Sequence, residues 1–367
     1  MEFELDILPL SVWLPHQEAA IIAGPCSAET EEQLVATCLQ LKDLGVSALR
    51  AGIWKPRTRP GNFEGHGEIA LPWVQTVKKL VDLPFAIEVA TPQHIELALK
   101  YGVDILWIGA RTTVNPFNVQ DLADALQGVD VPVMIKNPVN PDLALWIGAI
   151  ERIHKAGVRK IAAIHRGFSS LQESKYRNPP NWQIPLELKR IFPHLPLLCD
   201  PSHITGDRKM VAKVAQKALD LNYDGLMIET HITPDKAWSD AKQQVTPSEL
   251  EEMIHSFNFR KQKTDDIEFN NRLDELRKQI DELDRELVEI LATRMYLVEQ
   301  IGEYKRENNI SIFQIERWDE IFRTRPQWAE KMKLNKELIQ EIYKLIHVES
   351  IRKQTEVMSQ IPEKIKA

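Results

Sequence analysis

The chain has 367 residues, 43% hydrophobic and 27% charged, with a formal net charge of −7 and a pI near 5.9. That composition excludes a disordered polymer, and its acidic balance offers no basic footprint for nucleic acid. No apolar run approaches the ~18 residues of a membrane helix, and the acidic start Met1-Glu2-Phe3-Glu4 is not the basic opening of a signal peptide.

Glycine and proline divide the chain. Fourteen of 15 glycines lie at or before Gly225, and 20 of 22 prolines at or before Pro247. The segment beyond residue 258 makes long helices rather than tight turns. The expected organisation is a first domain over 1–258, a polar linker over 259–268 and a helical domain over 269–367. Three cysteines, Cys26, Cys38 and Cys199, are an odd, sparse set that fits a reducing cytoplasm rather than a disulfide framework.

In chain order, Phe3–Leu8 reads as a small strand at the base of the first domain. Eight short apolar runs come next: Ala20–Pro25, Ala48–Gly52, Phe85–Ala90, Ile105–Ala110, Pro132–Asn137, Lys160–Arg166, Pro196–Pro201 and Gly225–Glu229. Amphipathic stretches such as Glu31–Leu44, Ala70–Leu80, Leu143–Ala156 and Arg208–Leu221 separate them. Strand and helix alternating eight times predicts an α/β fold, a (β/α)8 TIM barrel. No G-x-G-x-x-G stands behind the first strand, which disfavours a doubly wound sheet.

A barrel carries its chemistry at the C-terminal ends of its strands. The polar residues there are Cys26, Arg50, Glu88, Arg111, Lys136, His165 with Arg166, Asp200 with His203, and Glu229. Cations converging on one mouth repel one another unless an anion sits between them, so the mouth should bind phosphates or carboxylates. Cys26, His203, Glu229 and Asp240 form a mixed sulfur, nitrogen and oxygen set. It suits one divalent ion of the Mn, Fe, Co or Zn class better than Mg or Ca.

Six motifs occur in order: Gly24-Pro25-Cys26-Ser27, Arg50 through Lys55-Pro56-Arg57-Thr58, Ile108-Gly109-Ala110-Arg111, Pro132 through Lys136, His165-Arg166-Gly167 and Asp200-Pro201-Ser202-His203. Over residues 19–256 they resemble the 3-deoxy-D-arabino-heptulosonate 7-phosphate (DAHP) synthases of the short type I subgroup. The resemblance implies Cys26, His203, Glu229 and Asp240 as metal ligands. It implies Arg50, Lys55, Arg111, Lys136 and Arg166 as the clamp on phosphoenolpyruvate, with Lys55 catalytic. Arg57 and Thr58 would hold erythrose 4-phosphate. Arg59 stands where the family commonly has Ser or Thr. The neighbouring 3-deoxy-octulosonate 8-phosphate synthases, which take arabinose 5-phosphate, usually carry Asn in this loop.

From Phe269 to Lys305 apolar residues recur in a heptad seam. The predicted helix is about 55 Å long and cannot bury its seam alone. Shorter helices are expected near Ile315–Thr324 and across Lys336–Met358. Arg294 interrupts the seam, either as half of a buried ion pair or as part of an anion site. Lys305 lies within about 20° of Arg294 around the helix, whereas Arg277 is about 100° off that face. Ser350 and Gln354 share a face of the last helix.

With Leu276-Arg277, Leu291-Ala292-x-Arg294, Gly302-x-x-Lys305, Arg317 and Glu349-Ser350-x-x-x-Gln354, residues 269–358 resemble the all-α chorismate mutases. The resemblance implies that Arg294, Lys305, Arg317, Ser350 and Gln354 bind chorismate. Lys305 and Gln354 would be catalytic, bonding to the ether oxygen of the breaking bond, and Arg277 would be donated across a homodimer. Gln314 and Trp318 replace a usual Asp and Glu. The expectation is a cytoplasmic bifunctional enzyme, its synthase inhibited by chorismate or prephenate through the mutase domain, with no nucleic-acid or membrane partner. The rivals are an octulosonate-type barrel, and a helical domain that only regulates or dimerises.

Overall fold

The computed structural model describes residues 5–55, 61, 63–261 and 263–359. It separates into two compact units, Met1–Gln262 and Lys263–Ala367.

In the first unit eight parallel strands close into a barrel in sequence order. They are β1 (Ala20–Gly24), β2 (Ala48–Ala51), β3 (Phe85–Val89), β4 (Ile105–Ile108), β5 (Val133–Lys136), β6 (Ile161–His165), β7 (Leu197–Cys199) and β8 (Gly225–Glu229). After β1 comes α1 (Glu31–Leu41), after β2 α2 (Leu71–Leu80), and after β3 α3 (Pro92–Lys100). β4 is followed by α4 (Ala110–Thr113) and α5 (Pro116–Ala125), and β5 by α6 (Leu143–Lys155). α7 (Gln183–Ile191) follows β6, α8 (Pro201–Thr205) and α9 (Arg208–Asp220) follow β7, and α10 (Pro247–Ser256) follows β8. Thr30, Thr91, Asp142 and Asp207 start their helices by accepting a first-turn amide.

Side chains alternate along each strand, and the alternation builds the site. Ala48, Ala86, Trp107, Met134, Ile164, Leu198 and Met227 fill the barrel's inside. Two residues further along each strand, on the same inner side, come Arg50, Glu88, Gly109, Lys136, Arg166, Asp200 and Glu229. The interior therefore changes from apolar to charged in one layer at the C-terminal mouth. Gly109 leaves room there: a Cβ on it would stand 2.0 Å from Glu88 Oε1.

Two expectations change in this unit. Among the described residues 5–8 there is no strand; a 3-10 turn over Leu10–Val12 comes instead, and Leu10, Trp13 and Leu14 join the inner core from below. The segment is short and lies off the barrel edge, since a closed barrel has no free edge to extend. His165 does not face the mouth. Its neighbour Ile164 points inward, so His165 points out into a buried nest of Phe168, Trp182 and Tyr223.

The second unit holds α11 (Ile267–Glu307), α12 (Ile315–Lys331) and α13 (Lys336–Ser359), with α13 packed on both others. α12 runs past the expected stop at Thr324 and carries Pro326 inside it. Pro326 forfeits a backbone bond, but it is buried with Ile321 and Ala329, which offsets the loss. Gly302, the lone glycine after Gly225, lies tight against α13: a Cβ there would meet Gln354 Cα at 3.3 Å.

The stripe of α11 that packs inside the chain runs beside the heptad seam, with Val298 and Gly302 buried and Arg294, Met295 and Lys305 half-buried. The seam stays open. Ile280, Leu283, Leu287, Ile290, Leu297, Ile301 and Tyr304 are each 49% exposed or more. No helix among the described residues is long and apolar enough to cross a membrane.

Candidate active sites

At the barrel mouth the cations and carboxylates of the inner layer sit side by side. Arg50 is buried, with its guanidinium 4.9 Å above the Trp107 ring and Nη2 3.2 Å from Glu229 Oε1. Its Nε and Nη1 have no hydrogen-bond partner. A buried guanidinium with open donors is costly unless an anion completes it. Lys136 Nζ lies 2.7 Å from Asp200 Oδ2. Burial alone would lift the Asp200 carboxyl, but His203 and Lys136 outweigh it and hold the group well below its usual range.

Arg166 projects next in the ring, and Asn137 Oδ1 accepts its backbone N–H at 2.7 Å. Burial, with Arg177 and Arg111 nearby, lowers its guanidinium to about 10 against the pull of Asp200. Arg111 lies exposed in the first turn of α4. Arg57 and Thr58 lie outside the described residues.

The second cluster is the candidate metal centre. Cys26, Glu229 and Asp240 each bring a ligand atom within 4.8 Å of the others. His203 stands beside them, outside that circle, with Nε2 3.8 Å from Glu229 Oε1. Its Nδ1 is 2.8 Å from Asp200 Oδ2, which orients the ring, and burial lowers its basicity. A neutral ring with Nε2 facing the carboxylates is the form that ligates an ion.

Glu229 Oε1 is buried and accepts no hydrogen bond. Burial, with Glu229 close by, pushes the Cys26 thiol up to about 12. Lys55 Nζ donates to Cys26 Sγ at 2.8 Å. Burial alone would weaken the Lys55 ammonium, but Cys26 and Glu229 outweigh it and raise its pKa. One thiol, two carboxylates and an adjacent imidazole fit a borderline first-row divalent ion, and Glu229 Oε1, ion-paired with Arg50 but accepting no hydrogen bond, keeps capacity to ligate it.

Three further residues frame this cluster, none of them singled out by the sequence motifs. Arg177 Nη1 donates to Asp240 Oδ1 at 2.9 Å, Gln243 Nε2 to Glu229 Oε2 at 2.6 Å, and Gln244 Oε1 accepts the Cys26 backbone N–H at 2.9 Å. The one sequence signal is the Gln-Gln pair close behind Asp240. Arg177 sits in a polar loop and gives none.

In the helical unit Arg294 Nη1 donates to Ser350 Oγ at 2.8 Å. Gln354 Oε1 is buried without a partner. Burial lowers the Arg294 pKa, helped by repulsion from Arg325 and Arg317. Lys305 Nζ donates to Ile312 O at 2.5 Å, and Arg317 is exposed and paired with Glu320 at 2.5 Å. Gln314 precedes α12 without capping it through its side chain. Trp318 stacks on His347 with ring centroids 3.4 Å apart. Arg277 lies on the exposed half of α11, 3.5 Å from Asp274.

Comparison with known proteins yields two family matches. The DAHP synthetase I family profile matches residues 15–265, and the chorismate mutase type II profile matches residues 276–355. Phospho-2-dehydro-3-deoxyheptonate aldolase of Thermotoga maritima is 32% identical over 234 residues, covering 64% of this chain and 67% of that protein. A 2-dehydro-3-deoxyphosphooctonate aldolase of Desulfatibacillum aliphaticivorans is 28% identical over 255 residues, covering 64% of this chain and 89% of the relative. The crystal structure of the Thermotoga maritima DAHP synthase superposes with a TM-score of 0.58 at 31% identity, over 65% of this chain and 67% of that one.

Proposed function

The chain belongs to the DAHP synthetase I family and carries a chorismate mutase type II domain behind its barrel, and on that premise we propose a cytoplasmic bifunctional enzyme at the entry to aromatic amino-acid biosynthesis. The barrel condenses phosphoenolpyruvate with erythrose 4-phosphate to give DAHP and phosphate. C3 of phosphoenolpyruvate attacks the aldehyde carbon, water adds at C2, and phosphate departs.

The observation that carries this reading is Arg50, a buried guanidinium with two open nitrogens at a mouth that also gathers Lys136 and Arg166. Those three, with Lys55 and Arg111, hold the phosphate and carboxylate of phosphoenolpyruvate. Asp200 pairs with Lys136 Nζ and holds the His203 ring turned toward Glu229. Arg57 and Thr58 take the aldose phosphate. A divalent ion of the Mn, Fe, Co or Zn class, held by Cys26, His203, Glu229 and Asp240, supplies Lewis-acid polarisation of the aldehyde oxygen. The protein's remaining work is to fix two anionic substrates with their carbons in contact.

The test tracks phosphoenolpyruvate loss with erythrose 4-phosphate and, separately, arabinose 5-phosphate, each with and without chelator. Consumption with erythrose 4-phosphate alone, stopped by chelator, is the expected result. Consumption with arabinose 5-phosphate alone moves the barrel to the octulosonate group. Arg50→Ala raises the KM for phosphoenolpyruvate about 10- to 100-fold, the worth of a charged hydrogen bond.

The helical domain rearranges chorismate to prephenate in a homodimer. Arg294, Lys305, Arg317, Ser350 and Gln354 come from one chain and Arg277 from the other. The exposed seam of α11 and the solvent-facing Arg277 support that assembly. Lys305 and Gln354 stabilise charge growing on the ether oxygen. Gln354→Ala costs about 10²- to 10³-fold in kcat. A second reading, a non-catalytic sensor, draws on the Trp318–His347 stack beside the Arg294 pocket; absence of turnover in the wild type favours it. Prephenate bound in the mutase domain inhibits the barrel.

A further inference from the structure

Each carboxylate of the Cys26–Glu229–Asp240 cluster has one oxygen held from outside the cluster, while the other meets Arg50 Nη2 at 3.2 Å (Glu229 Oε1) or accepts from Cys26 Sγ at 3.3 Å (Asp240 Oδ2). Glu229 Oε2 accepts from Gln243 Nε2 at 2.6 Å, and Oε1 is left without a hydrogen bond. Asp240 Oδ1 accepts from Arg177 Nη1 at 2.9 Å, and Oδ2 faces Cys26 Sγ at 3.3 Å. The two outer oxygens are joined, because the same Arg177 Nη1 also donates to Gln243 Oε1 at 2.8 Å. Asp240, Arg177, Gln243 and Glu229 thus form one unbroken chain of hydrogen bonds outside the cluster.

The chain is anchored. Gln243 is 1% exposed. Arg177 donates its backbone N–H to Thr205 O at 3.2 Å, and Asn178 donates through Nδ2 to His203 O at 2.6 Å. The stem of Arg177 lies on Gly206, where an added Cβ would come within 2.6 Å of Arg177 Cβ. The loop bearing Arg177 is therefore tied to the short helix that carries His203. Gln244, next to Gln243, turns the other way, accepting from Cys26 N at 2.9 Å and donating to Ser239 O at 2.9 Å. All four ligand-bearing segments meet in this loop system.

We propose that Arg177 and Gln243 are positioning residues for the divalent ion, a relay that holds the outer oxygen of each carboxylate so that Glu229 and Asp240 each present one oxygen to it. The inference rests on reading Cys26, His203, Glu229 and Asp240 as the ligands. A carboxylate free to rotate must lose that freedom when it binds an ion; one held by its far oxygen has already lost it. Because Arg177 also holds Gln243, removing either residue frees its own carboxylate and loosens the grip on the other.

The test is a direct cobalt(II) titration of the full chain as wild type, Arg177→Ala, Gln243→Ala and the double variant. Binding is read from the thiolate-to-cobalt absorption and from the rise in melting temperature. Wild type binds with a thiolate band. Each single variant loses about 10- to 100-fold in affinity. The double variant loses about as much as either single one, because the relay acts as a unit. Metal-free melting temperature falls where a buried side chain is removed, as at Gln243, and the affinity loss is read separately from the cobalt band.

A wild type that shows neither band nor stabilisation overturns the metal reading itself, and the relay with it. A wild type that binds, with single variants equally tight or with losses that multiply in the double variant, overturns the relay and leaves the metal reading standing. A lowered metal-free melting temperature with unchanged affinity assigns the pair to folding alone, which also overturns it.

Discussion

His165 is held neutral from both sides of its ring. Nε2 lies 2.6 Å from Pro180 O and donates to it, while Nδ1 accepts from Tyr223 Oη at 3.0 Å. Burial pushes its pKa down to about 3, against the Pro180 carbonyl's pull and with help from Arg166. A depressed base destabilises the fold in acid. Below pH ~6.5 the unfolded chain takes up a proton that the native one refuses. The stability is thus full above ~6.5 and falls by about 1.4 kcal/mol per pH unit toward 3. His165→Gln lacks that dependence. Urea unfolding of the barrel from pH 8 to 4.5 should show the wild-type advantage shrinking as pH falls; an advantage constant with pH refutes the argument. His165 also marks a limit of reading polarity at strand ends. His165 and Arg166 are both polar neighbours, and only the pleat decides which one turns inward.

Among the described elements, α11 is left incomplete by its own chain along most of its length. Its partner α13 covers the stripe through Val298 and Gly302, and the heptad seam remains in solvent. The 3.5-residue repeat makes the length of this helix legible in the sequence. It does not tell which stripe the chain covers itself, because Gly302 lets α13 come close beside the seam rather than on it. A second copy packed seam to seam is the proposed cover, and it makes a sharp prediction. Arg277→Ala and Arg294→Ala each lose mutase activity. Mixed and allowed to exchange subunits, they form hybrids in which one site has both arginines and the other has neither. Half the dimers are hybrids, so mixing restores about a quarter of wild-type activity under isologous pairing. No recovery after demonstrated exchange means the two arginines serve one chain.

At the scale of the whole molecule, the barrel mouth is legible because a period of two carries apolar, apolar and then charged residues up each strand. Arg50, Lys136 and Glu229 follow from Ala48, Met134 and Met227 by position alone. The Arg177–Gln243–Glu229 chain is not legible, since partners 66 and 14 residues apart leave no local pattern. Two such sites in one chain raise the question of coupling, and thermodynamics constrains the answer. Prephenate in the mutase domain can slow the barrel only if it binds one state of the whole chain better than another. Where that coupling lowers phosphoenolpyruvate affinity, phosphoenolpyruvate must weaken prephenate binding by the same factor, typically about 5- to 150-fold. Both factors are measurable on the full chain, one from phosphoenolpyruvate titration with and without prephenate and one from prephenate titration with and without phosphoenolpyruvate. Arg294→Ala should abolish the inhibition and leave uninhibited synthase turnover intact, because its side chain bonds to Ser350 within the helical unit. A synthase rate unmoved by saturating prephenate removes the coupling altogether and leaves two enzymes that share only a chain.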